Sequence, residues 1–272
     1  MLLSKYPRSI IKELKSLYSE FNNILIKNNH DKHSQDIKVL KSKFKILELE
    51  PNISIITILL LKNHFNVKNI AVYNKLFLIT ELYYIGFTLH LNVENPKFYT
   101  SKESYTEMKT YQVLLGDFLF TKIFEIILSI KNHKILTLFA KYNKKISEGM
   151  LNIKSIEKNS NENIQQIKKT YLNTYGAFVK LCIEAILILD QTLTKPQIIN
   201  PELSKIMPLL EDIFCNINIS RNIFSYGLLN NTINFEIKSS LNKLTLDIVN
   251  NIPKVKNQNS FSCYIDSLIA RI

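Results

Sequence analysis

Metal-assisted chemistry needs carboxylates held close together. Mg²⁺ is a hard cation that takes oxygen ligands, and a helix presents residues i and i+4 on one face. The chain has seven aspartates, Asp31, Asp36, Asp117, Asp190, Asp212, Asp247 and Asp266, and no two of them lie within four residues of each other. A D-D-x-x-D ligand set is therefore impossible in any register. Cys182, Cys215 and Cys263 form no C-x-x-C or Cys/His metal pattern, so free thiols in a reducing cytoplasm are expected. G-x-G-x-x-G, Walker A, H-E-x-x-H and G-x-S-x-G motifs are all missing from the sequence, which removes the commonest phosphate, zinc and nucleophile signatures.

Charge offers a second route to function. The net charge is +12, almost all of it lysine, since Arg8, Arg221 and Arg271 are the only arginines. A basic balance can mark a nucleic-acid or anionic-membrane surface. Here the lysines are spread along the chain among many Asn and Ile residues, the composition of an AT-rich genome. The scarcity of Arg removes bidentate phosphate clamps. No nucleic-acid partner is expected. Residues Met1 to Pro7 lack the apolar core of a signal peptide. The best transmembrane candidate, Leu76 to Val93, contains Glu81 and His90, so it is expected to be a buried core helix. A cytoplasmic protein without a membrane span is the expectation.

These residues need elements to position them. Apolar residues make up 46% of the chain, while Gly numbers five and Pro seven, which favours long helices over turn-rich sheets. Helical spacing of apolar residues predicts helices over Pro7 to about Asn29, Asn52 to His64, Asn66 to about Asn92 (ended by Asn95-Pro96), Ser104 to Ile130 and Lys134 to Asn152. A polar stretch from Ser155 to Asn163 predicts an exposed loop. A long helix over Ile164 to Leu189 follows, and then shorter ones over Leu209 to Cys215, Asn222 to Asn250 and Ser260 to Ala270.

Two stretches go beyond composition: Leu114-Leu115-Gly116-Asp117-Phe118-Leu119-Phe120, continuing to Phe124, and Ile146-Ser147-Glu148-Gly149. In order and spacing they resemble the L-x-G-D-F-L and S-E-G signatures of the trans-isoprenyl (polyprenyl) diphosphate synthases. The likeness extends upstream without a gap, through Glu81-Leu82 to Leu89-His90, the run that leads catalytic members into D-D-x-x-D. Here Leu91, Asn92 and Asn95 stand where the three aspartates would be. Downstream, Tyr171 to Cys182 resembles the K-T helix, with Thr174 matching the Thr and Asn173 replacing the Lys. Tyr226-Gly227 is similar to the approach to the second aspartate motif, whose position near Lys238, Ser239 and Ser240 carries no aspartate pair. The N-terminal G-K-R-x-R-P element would fall near Lys41 to Pro51, where Lys43 and Lys45 are present but the Gly and both arginines are not. The arginine pair after the first motif has no counterpart between Pro96 and Lys109.

The resemblance implies an all-α fold: a single large helical bundle of the isoprenoid synthase type, C-terminally shortened, forming one domain over residues 1–272. It also implies that catalysis in the family rests on Mg²⁺ held by two aspartate motifs. Leu91 cannot ligate Mg²⁺, and the neutral amides of Asn92 and Asn95 leave a diphosphate's charge unbalanced. The expectation is a degenerate member that binds no cofactor and has no catalytic or metal-binding residues of its own. It would be a non-catalytic accessory or regulatory subunit of a heteromeric synthase, whose catalytic partner holds the Mg²⁺ and elongates the isoprenoid chain. Leu115, Gly116, Asp117, Phe118, Phe120 and Phe124 are candidates for the interface or the core. Tyr84, Phe87 and Thr174 are candidates for lining a cavity. Alternatives are a pseudoenzyme that holds a lipid or isoprenoid in the ancestral cavity, and a divergent prenyltransferase using Glu94 and Glu236.

Overall fold

The computed structural model describes residues 70–91, 93, 102–158, 164–193, most of 208–219, and the isolated positions Lys12, Lys15, Ser16, Ser19 and Ser239. All the regular structure among them is helical: α1 (Ile70–Leu91), α2 (Lys102–Ile130), α3 (His133–Lys158), α4 (Ile164–Tyr171), a π-helical turn (Leu172–Gly176) and α5 (Ala177–Leu193). The described positions from Pro208 to Ile219 are also helical. The chain divides into two compact units, one comprising residues 1–56 and 69–132, the other residues 57–68 and 133–272.

In the first unit α1 packs along α2. Helix α1 is apolar all round, so it must be surrounded. Tyr73, Leu76, Phe77, Leu78, Ile79 and Leu82 are all fully buried, each contributing about 1.5–3 kcal/mol of burial. Its two threonine hydroxyls are satisfied within the helix: Thr80 Oγ1 donates to the Leu76 carbonyl and Thr88 Oγ1 to that of Tyr84, both at 2.8 Å. The segment the sequence offered as its best transmembrane candidate, Leu76 to Val93, is a core helix over 76–91, as expected. At Gly86 the Gly116 carbonyl and Leu119 lie 3.5 Å from where a Cβ would stand, ordinary contact distances that a small side chain could also meet. Helix α2 ends at Ile130, and the left-handed φ of 55° at Lys131 turns the chain.

In the second unit α3 is amphipathic. Ile135, Leu138, Phe139, Tyr142, Ile146 and Ile153 are buried at helical spacing, while Lys141, Lys144 and Glu148 face solvent. It packs against α4, the π turn and α5. Phe178, Val179, Leu181, Ile183 and Ala185 make α5 a second core helix. The segment 165–189, taken with α4 and the π turn, is the one helix among the described residues long and apolar enough to cross a membrane, and 67% of its most apolar window is buried within the structure.

The sequence anticipated α1, α2 and the long helix after Ile164. It ended α3 too early. The helix continues to Lys158, because Ile153 and Ile156 keep the apolar period going through a polar surface run, and Ile153 is fully buried. The last short helix also runs past Cys215 to Ile219. The π turn had no counterpart in the expectations. At the N-terminus the described positions Lys12, Lys15, Ser16 and Ser19 are helical and exposed, the polar face of the expected first helix. The helices expected over 52–64, 222–250 and 260–270 lie outside the described residues, apart from Ser239.

Candidate functional site

The L-G-D-F stretch builds a defined contact with the end of α1. A Cβ on Gly116 would run into the His90 imidazole, whose Cδ2 and Cε1 lie 2.8 and 2.9 Å from it, so a side chain here would push this ring out of its place. His90 Nε2 lies 3.5 Å from Asp117 Oδ1, and the ring stacks on Phe120 at 5.8 Å between centroids. Phe120 in turn meets Tyr83 edge-on at 5.5 Å. Burial holds the Tyr83 phenol far above the usual phenol range, so it stays protonated and packs as core. This cluster lies one residue before Leu91, which is only 5% exposed and ends α1. A buried aliphatic side chain at this position supplies no metal ligand. Asn92 and Asn95 lie outside the described residues.

The S-E-G stretch and the former K-T helix also meet. A Cβ on Gly149 would collide with the Thr174 hydroxyl and come within 3.0 Å of its Cβ and 3.2 Å of its Cα. Thr174 is fully buried in that notch, within the π turn, and Oγ1 donates to the Thr170 carbonyl at 2.9 Å. The π turn adds a residue to the helical turn. It leaves Asn173 exposed while Thr174, Tyr175 and Gly176 are buried. Glycine and threonine, legible separately as motif residues, are thus two halves of one helix contact.

Several buried polar groups of the second unit are paired or hydrogen-bonded. Lys180 Nζ pairs with the buried Glu211 at 2.9 Å. Burial pushes that carboxyl above its usual range, and Lys180 opposes the shift. Asp212 is raised by burial as well, with Lys168 pulling it down. Tyr142 donates to Glu184 Oε1 at 2.6 Å. Burial, reinforced by that bond to a carboxylate, drives its phenol far above the ordinary range, so it acts as a fixed donor and not as a base or nucleophile. Cys182 and Cys215 are buried free thiols. The Cys215 thiol, 3.5 Å from the Lys168 carbonyl, is pushed up to about 12 by burial and is chemically inert near neutral pH.

The interface-or-core candidates separate cleanly. Leu115 and Gly116 are buried, Phe118 and Phe120 half-buried, and Asp117 and Phe124 exposed. Sequence reasoning missed that Tyr111, Leu114 and Leu128 share the exposed face of α2 with Phe124. Leu114 is 59% exposed, Phe124 48% and Leu128 62%. The signal was available in the helical spacing of these residues, but apolar residues surround α2's whole circumference and hid it. Of the cavity candidates, Phe87 and Thr174 are buried and Tyr84 is partly exposed; Phe87 packs against Tyr83 at 5.9 Å. Ser239 is helical and exposed, whereas Lys238 and Ser240 lie outside the described residues. No group of three or more His, Cys, Asp or Glu side chains able to hold a metal ion occurs among the described residues.

The class of fold follows from comparison with solved structures. The chain has the all-α isoprenoid synthase fold. It is similar to a decaprenyl diphosphate synthase from Rhodobacter capsulatus, with a TM-score of 0.71 and 11% identity over 96% of this chain and 98% of that one. It is also similar to a deletion mutant of the heterotetrameric geranyl pyrophosphate synthase of mint, with a TM-score of 0.59 and 11% identity over 94% and 98%. The geranylgeranyl pyrophosphate synthase of Bacteroides thetaiotaomicron superposes with a TM-score of 0.57 and 14% identity over 93% and 100%. At these identities the likeness is one of fold. These neighbours agree with the resemblance found in the motifs. No family model and no curated protein matches the sequence.

Proposed function

We propose that this chain is a non-catalytic accessory or regulatory subunit of a heteromeric polyprenyl diphosphate synthase, acting in the cytoplasm as a single domain over residues 1–272. One observation carries the reading: a diphosphate-synthase fold is built by a sequence in which no two aspartates lie within four residues. Neutralising a departing diphosphate requires carboxylate-held Mg²⁺. The retained motif residues, Gly116 and Gly149, hold helices together, and they would be kept by a subunit that has lost chemistry but not shape. The exposed apolar face of α2, with Leu114, Phe124 and Leu128, supports assembly with a partner, since large apolar side chains gathered on one surface favour protein contact. In this reading Mg²⁺ is bound by the catalytic partner and chain elongation occurs there.

The test is a prenyl-transfer assay with Mg²⁺, farnesyl diphosphate and isopentenyl diphosphate. It compares this chain, the host's D-D-x-x-D-bearing homologue, and the two co-expressed. Activity or a longer product only in the mixture is expected. A homologue that is fully active alone, with rate and product unchanged by this chain, would sink the subunit reading and favour a lipid-binding pseudoenzyme. Mg²⁺-dependent turnover by this chain alone would revive a divergent prenyltransferase.

A further inference from the structure

From Leu114 to Leu128 the exposed residues of α2 are Leu114, Asp117, Thr121, Phe124, Glu125 and Leu128. Their spacing of three and four residues gathers them into one strip along the helix. The chain as a whole is strongly basic, with 35 Lys and Arg against 23 Asp and Glu, yet both charges in this strip are acids. The Asp117 side chain is 66% exposed, with His90 at 3.5 Å. The Glu125 side chain is 65% exposed, and Lys122, at the edge of the strip and only 14% exposed, is already engaged by it at 2.6 Å. Thr121 stands at the centre, with Asp117 and Glu125 four residues to either side and Leu114 and Leu128 seven. Its hydroxyl donates to the Asp117 carbonyl at 3.0 Å and asks nothing of a partner.

This symmetric arrangement decides what can cover the strip. A second copy of the chain would meet it about a two-fold axis, with every contact reciprocated. Two α2 helices paired antiparallel about Thr121 set Leu114 against Leu128, Phe118 against Phe124, and Asp117 against Glu125. Paired in parallel, each residue faces its own copy. In both cases the apolar residues are matched, but carboxylates oppose carboxylates, and like charges across an interface suppress the wrong partner. We propose that this strip selects against a second copy of the chain and takes a partner helix of complementary charge. That helix is apolar where it faces Leu114, Phe124 and Leu128, and carries Lys or Arg where it faces Asp117 and Glu125. The identity of this partner as the catalytic subunit rests on the subunit reading above, whereas the charge selection follows from the strip itself.

Analytical ultracentrifugation of the full chain and its Asp117→Lys/Glu125→Lys variant, separately and mixed, tests this. Physiological salt is used, where charges more than about 8 Å apart are screened and the facing pairs outweigh net charge. In either helix orientation the mixture sets each carboxylate against a lysine. Each chain alone is expected to stay monomeric at micromolar concentration. The mixture is expected to form a one-to-one dimer, at least about tenfold tighter than either self-association and weakened by added salt. Asp117→Asn/Glu125→Gln, which removes the repulsion and keeps the shape, is expected to self-associate more tightly than the unsubstituted chain. Leu128→Lys, placed in the unsubstituted chain with its unfolding midpoint unchanged, is expected to abolish the mixed dimer. The inference is overturned if the unsubstituted chain dimerises as tightly as the mixture, if neither the mixture nor the neutral variant gains affinity, or if the mixed dimer survives Leu128→Lys. No catalytic partner enters this test, so failure to assemble with the D-D-x-x-D-bearing homologue would sink the subunit reading alone.

Discussion

Gly149→Ala and Gly116→Ala look equivalent in the sequence, yet their neighbours make them different. At Gly149 the added methyl meets the Thr174 Cβ and backbone Cα as well as the hydroxyl, and a backbone cannot swing away. The variant is expected to lose about 1–3 kcal/mol by overpacking, read from the urea midpoint. Thr174→Ala in the same background should recover part of that loss, giving a non-additive cycle. At Gly116 the methyl meets only the far end of the His90 side chain. The ring can rotate at about 0.5–1.5 kcal/mol, leaving Phe120 and Asp117. Loss of the aromatic ring-current shift on the His90 protons, with a smaller stability change, is the expected signature. If both variants lose the same stability, these contacts are not as described. Glu211 provides a pH test. Burial raises its folded pKa above the ordinary 4.5, so the folded chain keeps this proton to higher pH than the unfolded chain. Its contribution to stability therefore grows as pH falls through the folded pKa towards 4.5 and is lost as pH rises. Asp212 shifts in the same direction. Glu211→Gln is expected to flatten this slope in urea titrations run between neutral pH and 4.5, and an unchanged slope would count against the assignment.

At the scale of elements, α2 separates core from surface. Leu115, Leu119, Ile123 and Ile127 are buried along one side, and Leu114, Phe124 and Leu128 stand out on the other. Leu128→Lys is expected to leave stability within about 0.5 kcal/mol, as exposed substitutions usually do. If the proposed subunit role holds, co-purification with a co-expressed D-D-x-x-D-bearing homologue should fall sharply in the same variant, together with any activity of the mixture. If Leu128→Lys instead lowers the unfolding midpoint, the residue serves the fold of the subunit itself. Much of this layer was legible in advance: α1 is apolar all round and α3 is amphipathic, and each pattern has one stable placement. The extension of α3 to Lys158 was missed because Ser155, Glu157 and Lys158 look like loop residues locally, while burial of Ile153 favours another turn of helix. The π turn was illegible, since Leu172 to Gly176 has ordinary helical spacing.

For the whole molecule, the fold class and the lack of any D-D-x-x-D stretch were both legible in the sequence. Five glycines and long apolar periods require helices, and seven scattered aspartates exclude a D-D-x-x-D site wherever the chain folds. Composition and residue spacing are properties of the chain itself, which is why these conclusions needed no coordinates. The roles of the motif residues did not follow in the same way. Gly116 and Asp117 were visible as a pair, but it took helix packing to bring His90 onto them. Gly149 and Thr174 belong to different helices, and a notch exists only once those helices touch. Which apolar residues of α2 are core and which are surface was likewise decided by its packing against α1, because burial is set by what lies opposite a side chain and not by the side chain's own type.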